Sequence, residues 1–134
     1  MSTKPIALGL GCDRNTPLTT IAQAIDEALA LCHATMSDIQ AVASIDLKAD
    51  EPALQQLAEQ QSWQIHFYAA HELAKVEVPN PSETVRKHTG TPSVSEAAAL
   101  LAANTDKTKL IIEKHRLRGP DGRNATVSIA RIPE

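Results

Sequence analysis

The stretch PIALGLGCDRNTP, residues 5–17, runs from a continuous apolar segment through a glycine pair into a helix start. An apolar run without polar alternation fits a strand covered on both faces. Gly9 and Gly11, one residue apart, have the pattern of a tight turn that lets an anion approach a helix N-terminus, with Arg14 close by. Thr16 reads as the N-cap and Pro17 as the first helical residue. Leu18, Ile21, Ile25, Ala28 and Leu29 then recur at three- and four-residue steps to about His33. Residues 5–33 are therefore expected to form a strand followed by a helix.

The same unit recurs along the chain. AVASIDL (41–47) is a second strand, and Asp50-Glu51-Pro52 opens a helix carrying Leu54 and Leu57. WQIHFY (63–68) is a third, short strand, followed by one or two helical turns in AAHELAK (69–75). Asn80-Pro81-Ser82-Glu83 and Ser93-Val94-Ser95-Glu96 both have the spacing of a capping box, the second opening an Ala/Leu-rich helix to about Asn104. KLIIEKHRL (109–117) and NATVSIARI (124–132) flank a loop containing GPDG, which predicts an antiparallel hairpin. Three strand–helix steps and a closing hairpin imply an α/β domain with a mixed sheet of roughly five strands and helices on both faces.

At 134 residues the chain suits one domain with a single core. Thirteen Lys/Arg against sixteen Asp/Glu leave a formal charge of −3, which calls for neither nucleic acid nor an anionic membrane. One Trp, one Tyr and one Phe cannot furnish a base-stacking platform. No apolar run approaches the roughly 20 residues of a membrane span. Cys12 and Cys32 belong to no Cys/His cluster at metal spacing, so no metal and no cofactor are expected, and reduced thiols fit a cytoplasmic protein.

In a sheet of this kind ligands gather beyond the carboxyl ends of the parallel strands. Cys12, Asp13, Arg14, Asn15 and Thr16 follow the first strand there, and Asp46, Lys48, Asp50 and Glu51 follow the second. The dinucleotide pattern GxGxxG fails, because Arg14 occupies its third glycine position and Asp46 lies 35 residues beyond Gly11, where about 20 is expected. A tight turn beside Arg14 remains, and a carboxylate suits it as well as a phosphate does.

Five segments, GLGCDRNT, SIDLKADEPAL, VPNPSETV, GTPSVSEAAALLAA and KLIIEKHRL…ATVSIAR, occur in an order and spacing that resemble the cobalamin-biosynthesis family of CobE and the C-terminal domain of CbiG. The resemblance spans about residues 5–132. It implies a three-layer α/β/α fold and work on corrin or precorrin intermediates alongside other enzymes of the pathway. CbiG in that family opens the lactone of cobalt-precorrin-5A and releases acetaldehyde; CobE is the free-standing relative, whose form this chain resembles. The chain departs from the family's GCRRGT at Asp13 and Asn15, and Asn can adopt the left-handed turn conformation otherwise left to glycine.

A flat apolar macrocycle edged with carboxylates needs helix N-termini, Lys/Arg donors and an open apolar face. Gly9, Gly11, Cys12, Arg14, Asn15, Thr16, Lys48, Thr91, Ser93, Glu96 and Lys114 are the candidate ligand-binding residues. Lys48, Glu51 and Cys12 are the candidates for catalysis, Cys12 through a lowered thiol pKa in a glycine turn before a helix. Each has a structural reading beside it. Thr16, Thr91 and Ser93 suit helix caps, Glu96 the end of a capping box, and Asp50 and Glu51 a helix first turn. Lys48 suits a salt bridge, and Cys12 a small buried residue. Residues 107–123 hold six Lys/Arg against Glu113 and Asp121, a local +4 that either steers a polycarboxylate or is a solvated face. The resemblance thus favours a carrier or partner that binds a corrin intermediate, with hydrolysis of a lactone-bearing intermediate as the alternative.

Overall fold

The structure, a computed structural model, describes residues 5–133. Strand β1 (Ile6–Cys12) leads to helix α1 (Leu18–Leu31), β2 (Ile39–Ile45) to α2 (Pro52–Gln61), and β3 (Ile65–Tyr68) to the short α3 (Ala70–Ala74). Helices α4 (Glu83–Thr89) and α5 (Val94–Ala103) follow, and β4 (Leu110–Arg118) and β5 (Asn124–Arg131) close the chain. The strands form one sheet in the order β3-β2-β1-β5-β4. β1, β2 and β3 pair in parallel, while β5 is antiparallel to both β1 and β4. This is the mixed five-stranded α/β sheet expected from the sequence.

β1 is central, and its alternate side chains serve two different cores. Ile6, Leu8 and Leu10 pack with Ile21, Ile25 and Leu29 of α1, Leu54 and Leu57 of α2, and Val127 and Ile129 of β5. The opposite face has smaller residues: Ala7 and Ala130 lie against Ala99, Leu100 and Ala103 of α5, and Ala43 and Ile45 against Ala97 and Ala98. Large side chains hold α1 and α2 off the sheet, whereas alanines let α5 lie almost on the strand backbone.

Gly9 marks the point of closest approach. A Cβ built there would overlap the carbonyl oxygen of Ser95 and lie 2.6 Å from the backbone nitrogen of Ala99. The glycine pair therefore does not form the anion-receiving turn expected for it. Both residues lie inside β1, Gly9 is filled from above by α5, and it offers nothing to a ligand. The turn comes later, where the Thr16 N–H donates to the Asp13 carbonyl at 3.2 Å and Asn15 adopts φ 66°. Asn15 thus supplies the left-handed residue that the departure from the family pattern required.

Three expected caps also shift. α1 begins at Leu18 with Pro17 as its N-cap; Thr16 is buried, and its hydroxyl donates back to the Asp13 carbonyl at 2.7 Å. α4 is capped by Ser82, whose Oγ accepts the Val85 N–H at 3.2 Å, leaving Asn80 free for another role. Ser93 is the N-cap residue of α5 but makes no side-chain cap bond, and the Glu96 carboxylate is held by Asn80, so no capping box closes there. Among the described residues no helix is long and apolar enough to cross a membrane.

Candidate functional site at the carboxyl end of the sheet

Two polar groups flank the end of β1. The first gathers around the turn that follows Cys12. Asn124 fixes this turn: its N–H and side-chain amide donate to Asp13 Oδ2 at 2.8 and 3.2 Å, and its carbonyl accepts the Asp13 N–H at 3.0 Å. Arg14 Nη1 lies 2.8 Å from both Asp50 Oδ1 and Glu51 Oε1, and Nη2 donates to the Leu47 carbonyl at 2.8 Å. The Asn15 N–H donates to both Glu51 carboxylate oxygens at 3.2 Å.

Glu51 is fully buried, so these donors are what hold its charge away from water. The anion that this turn receives is thus the protein's own. Arg14 and Asn15, expected to face a ligand, are occupied by Glu51 and Asp50, and Thr16 is turned inward. Hydrogen bonding with Asp50 raises the Arg14 pKa and lowers that of Asp50. Cys12 packs on the α1 side, where burial pushes its thiol from 9.0 up to about 11. Lys48 and Arg14 pull the other way without reversing the shift. The expected lowering of the Cys12 pKa is overturned: desolvation outweighs the nearby cations, so the thiol is protonated at neutral pH. Lys48 is half-buried in a 3-10 turn beyond β2 and makes no salt bridge among the described residues.

The second group lies on the α5 side. Gly11 faces α5, with the Val94 Cβ 3.9 Å and the Thr126 Oγ1 2.5 Å from where its own Cβ would be. The sheet register puts Gly11, Thr126 and Arg116 in one row across β1, β5 and β4. Glu96, fully buried, accepts the Asn80 N–H at 3.3 Å and its side-chain amide at 2.6 Å. The same amide reaches Glu113 at 3.0 Å. Ser128 and Ser95 share a buried hydroxyl contact of 2.8 Å. Lys114 is half-buried; desolvation lowers its pKa, while the Glu96 charge raises it and the Arg116 charge lowers it further.

Thr91 and Ser93 precede α5, both with 0% exposure. Their hydroxyl oxygens are buried without a hydrogen-bond partner among the described residues. Native structures leave few such atoms, because each costs on the order of 1–3 kcal/mol of desolvation. They stand at the mouth of a ten-residue helix, where the first-turn N–H groups also lack intrahelical acceptors.

The expected residues thus divide. Cys12, Arg14, Asn15, Lys48 and Glu51 cluster about the β1 turn; Gly11, Thr91, Ser93, Glu96 and Lys114 surround the mouth of α5. The sequence reading missed Asn80, Thr126 and Arg116. Arg116 had a signal, since Lys114 and Arg116 are two apart on a strand. Asn80 and Thr126 acquire significance only through the contacts of the folded chain. Among the described residues no three His, Cys, Asp or Glu side chains converge as a metal-binding group.

Similarity to known proteins converges on one family. The family described as Cobalamin synthesis G C-terminus matches residues 6–130. The chain is 35% identical over 130 residues to a cobalt-precorrin-5A hydrolase of Priestia megaterium, covering 97% of this chain and 33% of the relative. It therefore spans about a third of that hydrolase. It is 37% identical over 111 residues to Protein CobE of a Sinorhizobium species, covering 81% of this chain and 71% of the relative. The crystal structure of CobE, a protein from the cobalamin (vitamin B12) biosynthetic pathway, superposes with a TM-score of 0.78 at 30% identity, covering 97% and 92% of the two chains. The chain belongs to the CobE and CbiG C-terminal family of the cobalamin biosynthesis pathway.

Proposed function

We propose that this chain binds a precorrin-type intermediate of the cobalamin pathway and holds it for other enzymes, with the mouth of α5 as a contact for the ligand's carboxylates. The observation that carries this reading is the pair of unpartnered, fully buried hydroxyls of Thr91 and Ser93. Both hydroxyls are donors without an acceptor at the positive end of a helix, and Lys114 lies close to Glu96 of the same helix, a combination that suits a carboxylate. The free thiols of Cys12 and Cys32 suit a reducing cytoplasmic setting.

Two features of the β1 turn favour binding over hydrolysis. The Cys12 thiol is raised to about 11, and the Glu51 carboxylate is engaged by Arg14 and Asn15. Neither is poised as nucleophile or base. Spectroscopic titration with cobalt-precorrin-5A, followed by gel filtration and mass analysis of the recovered ligand, tests the reading. Saturable binding with unchanged ligand mass is expected. A ligand that elutes wholly in the small-molecule fraction overturns it, and a mass gain of one water transfers the role to hydrolysis.

A further inference from the structure

Beside the mouth of α5 the sheet has a basic corner that the hydrogen-bond network leaves unused. His115 and Leu117 of β4 turn toward α1, His115 pairing with Glu27 at 2.7 Å and Leu117 packing in the α1 core, so Lys114 and Arg116, alternating with them, face the other way. A register irregularity between Ile112 and His115 lets Ile112 face α1 as well. The placement of Lys114 near Glu96 of α5 agrees with this alternation, as does the pairing of Arg116 with Thr126 beside Gly11. The other cations of the hairpin include two that are already neutralised, Lys107 by Glu77 and Arg123 by Asp121. Lys114 and Arg116 make no hydrogen bond or salt bridge among the described residues. Glu96 offsets Lys114, and the Asn80 amide ties up both Glu96 and the exposed Glu113 carboxylate.

Lys114 and Arg116 repel each other, and a bound anion relieves that repulsion. The floor beside them is formed by Gly11 and by the Thr126 side chain that lies over it. Gly11 contributes no side chain, and Thr126 presents an Oγ1 that makes no hydrogen bond among the described residues. Gly11, Thr126 and Arg116 are each at least partly accessible to solvent.

We propose that Lys114 and Arg116, beside the Gly11–Thr126 floor, form a subsite for a carboxylate group of the bound ligand. The subsite rests on the binding reading given above and adds the residues that recognise the ligand's charge. A guanidinium and an ammonium group on one face of the edge strand suit a carboxylate, with the Thr126 hydroxyl as a third donor.

The test uses two probes on the full chain, compared with the double variant K114Q/R116Q. Propane-1,2,3-tricarboxylate is titrated against isotopically labelled protein, with its uncharged trimethyl ester as control. Saturable amide shifts at Gly11, Arg116 and Thr126, absent with the ester and lost in the variant, are expected. Shifts spread over all the lysines and arginines, or unchanged in the variant, overturn the subsite. Cobalt-precorrin-5A is then titrated into both proteins at two salt concentrations. A loss of affinity of at least ~10-fold in the variant, with a weaker salt dependence, is expected from losing two charge-assisted contacts. Equal affinity overturns the subsite while leaving the binding reading intact. Failure of the unaltered protein to bind overturns the binding reading, and the tricarboxylate result still decides the subsite by itself.

Discussion

At Gly9 a missing side chain decides how close two layers of the protein come. The Ser95 carbonyl and the Ala99 nitrogen of α5 occupy the space a Cβ would need, and backbone atoms cannot swing aside as a flexible side chain can. Gly9→Ala must push α5 away from β1 and disturb the alanine-lined core. Urea denaturation should show a loss on the order of 3 kcal/mol, the upper part of the range for overpacking. A loss below about 0.5 kcal/mol would show that α5 is not seated on this strand. From sequence alone the glycine was open to misreading, because a glycine before a helix serves a tight turn or a close approach equally well. The partner that decides between them lies in α5, far along the chain. Glu51 has the same lesson in another form: its place at a helix start was legible, but its capture of Arg14 and Asn15 depends on how two loops meet.

At the scale of elements, residues 75–92 form a strap across the mouth of α5. Val78 and Val85 pack against the cluster containing Val94, yet α4 itself has no fully buried residue. Polar contacts do most of the holding. Asn80 bridges Glu96 and Glu113, the Ser82 N–H donates to the Pro92 carbonyl at 2.9 Å, and Lys107 pairs with Glu77. Asn80→Ala removes the bridge and leaves the buried Glu96 carboxylate with only the backbone N–H of residue 80 as donor. Hydrogen exchange at Ser82 and Val85 should accelerate by roughly tenfold or more, since bonds to a charged group typically contribute about 1.5–3 kcal/mol, while exchange in β1 and β5 changes far less. Equal acceleration throughout the sheet would show that Asn80 supports the whole fold and that the strap does not open by itself. The capping-box spacing at Ser93–Glu96 was legible in the sequence. Its failure to close was not, because the competing donor is Asn80, sixteen residues away on another element.

Over the whole molecule, the net charge of −3 hides a division between the acidic helices α1, α2, α3 and α5 and a basic hairpin. The order of elements and the mixed sheet were readable because apolar runs and helical periodicity alternate cleanly and GPDG marks the reversal between β4 and β5. The division of the site into two groups was not, since Gly11 and Cys12 are adjacent in sequence but face opposite layers. Titration behaviour follows from the same arrangement. Asp50 and Glu27 have pKa values lowered by hydrogen bonds with Arg14 and His115 respectively. Their stabilising contribution is present above the ordinary carboxylate range and is lost as pH falls through their folded values, shallowly because Asp50 is exposed and Glu27 only part-buried. Cys12 is raised, so its contribution is complete below 9.0 and is lost as pH rises toward about 11. Lys114, lowered by burial, acts in the opposite sense at alkaline pH. The urea midpoint should be flat between about pH 5 and 8.5 and decline on either side. In Cys12→Ala the alkaline decline should be reduced, measured as the difference in midpoint between pH 8 and pH 10.5. An alkaline decline identical in both proteins would place the loss elsewhere than at Cys12.

The measurement that reaches the centre of the account is a comparison of stability and ligand affinity in Thr91→Val/Ser93→Ala. A hydroxyl retained only for packing would be missed by the fold and not by the ligand; one retained for the ligand shows the reverse. Because neither oxygen has a partner among the described residues, their removal should leave the unfolding free energy unchanged or raise it by about 1 kcal/mol. Affinity for cobalt-precorrin-5A should fall by about tenfold. A variant that loses stability and binds the ligand as tightly as the unaltered protein would contradict the assignment of the α5 mouth as the place where the intermediate is held.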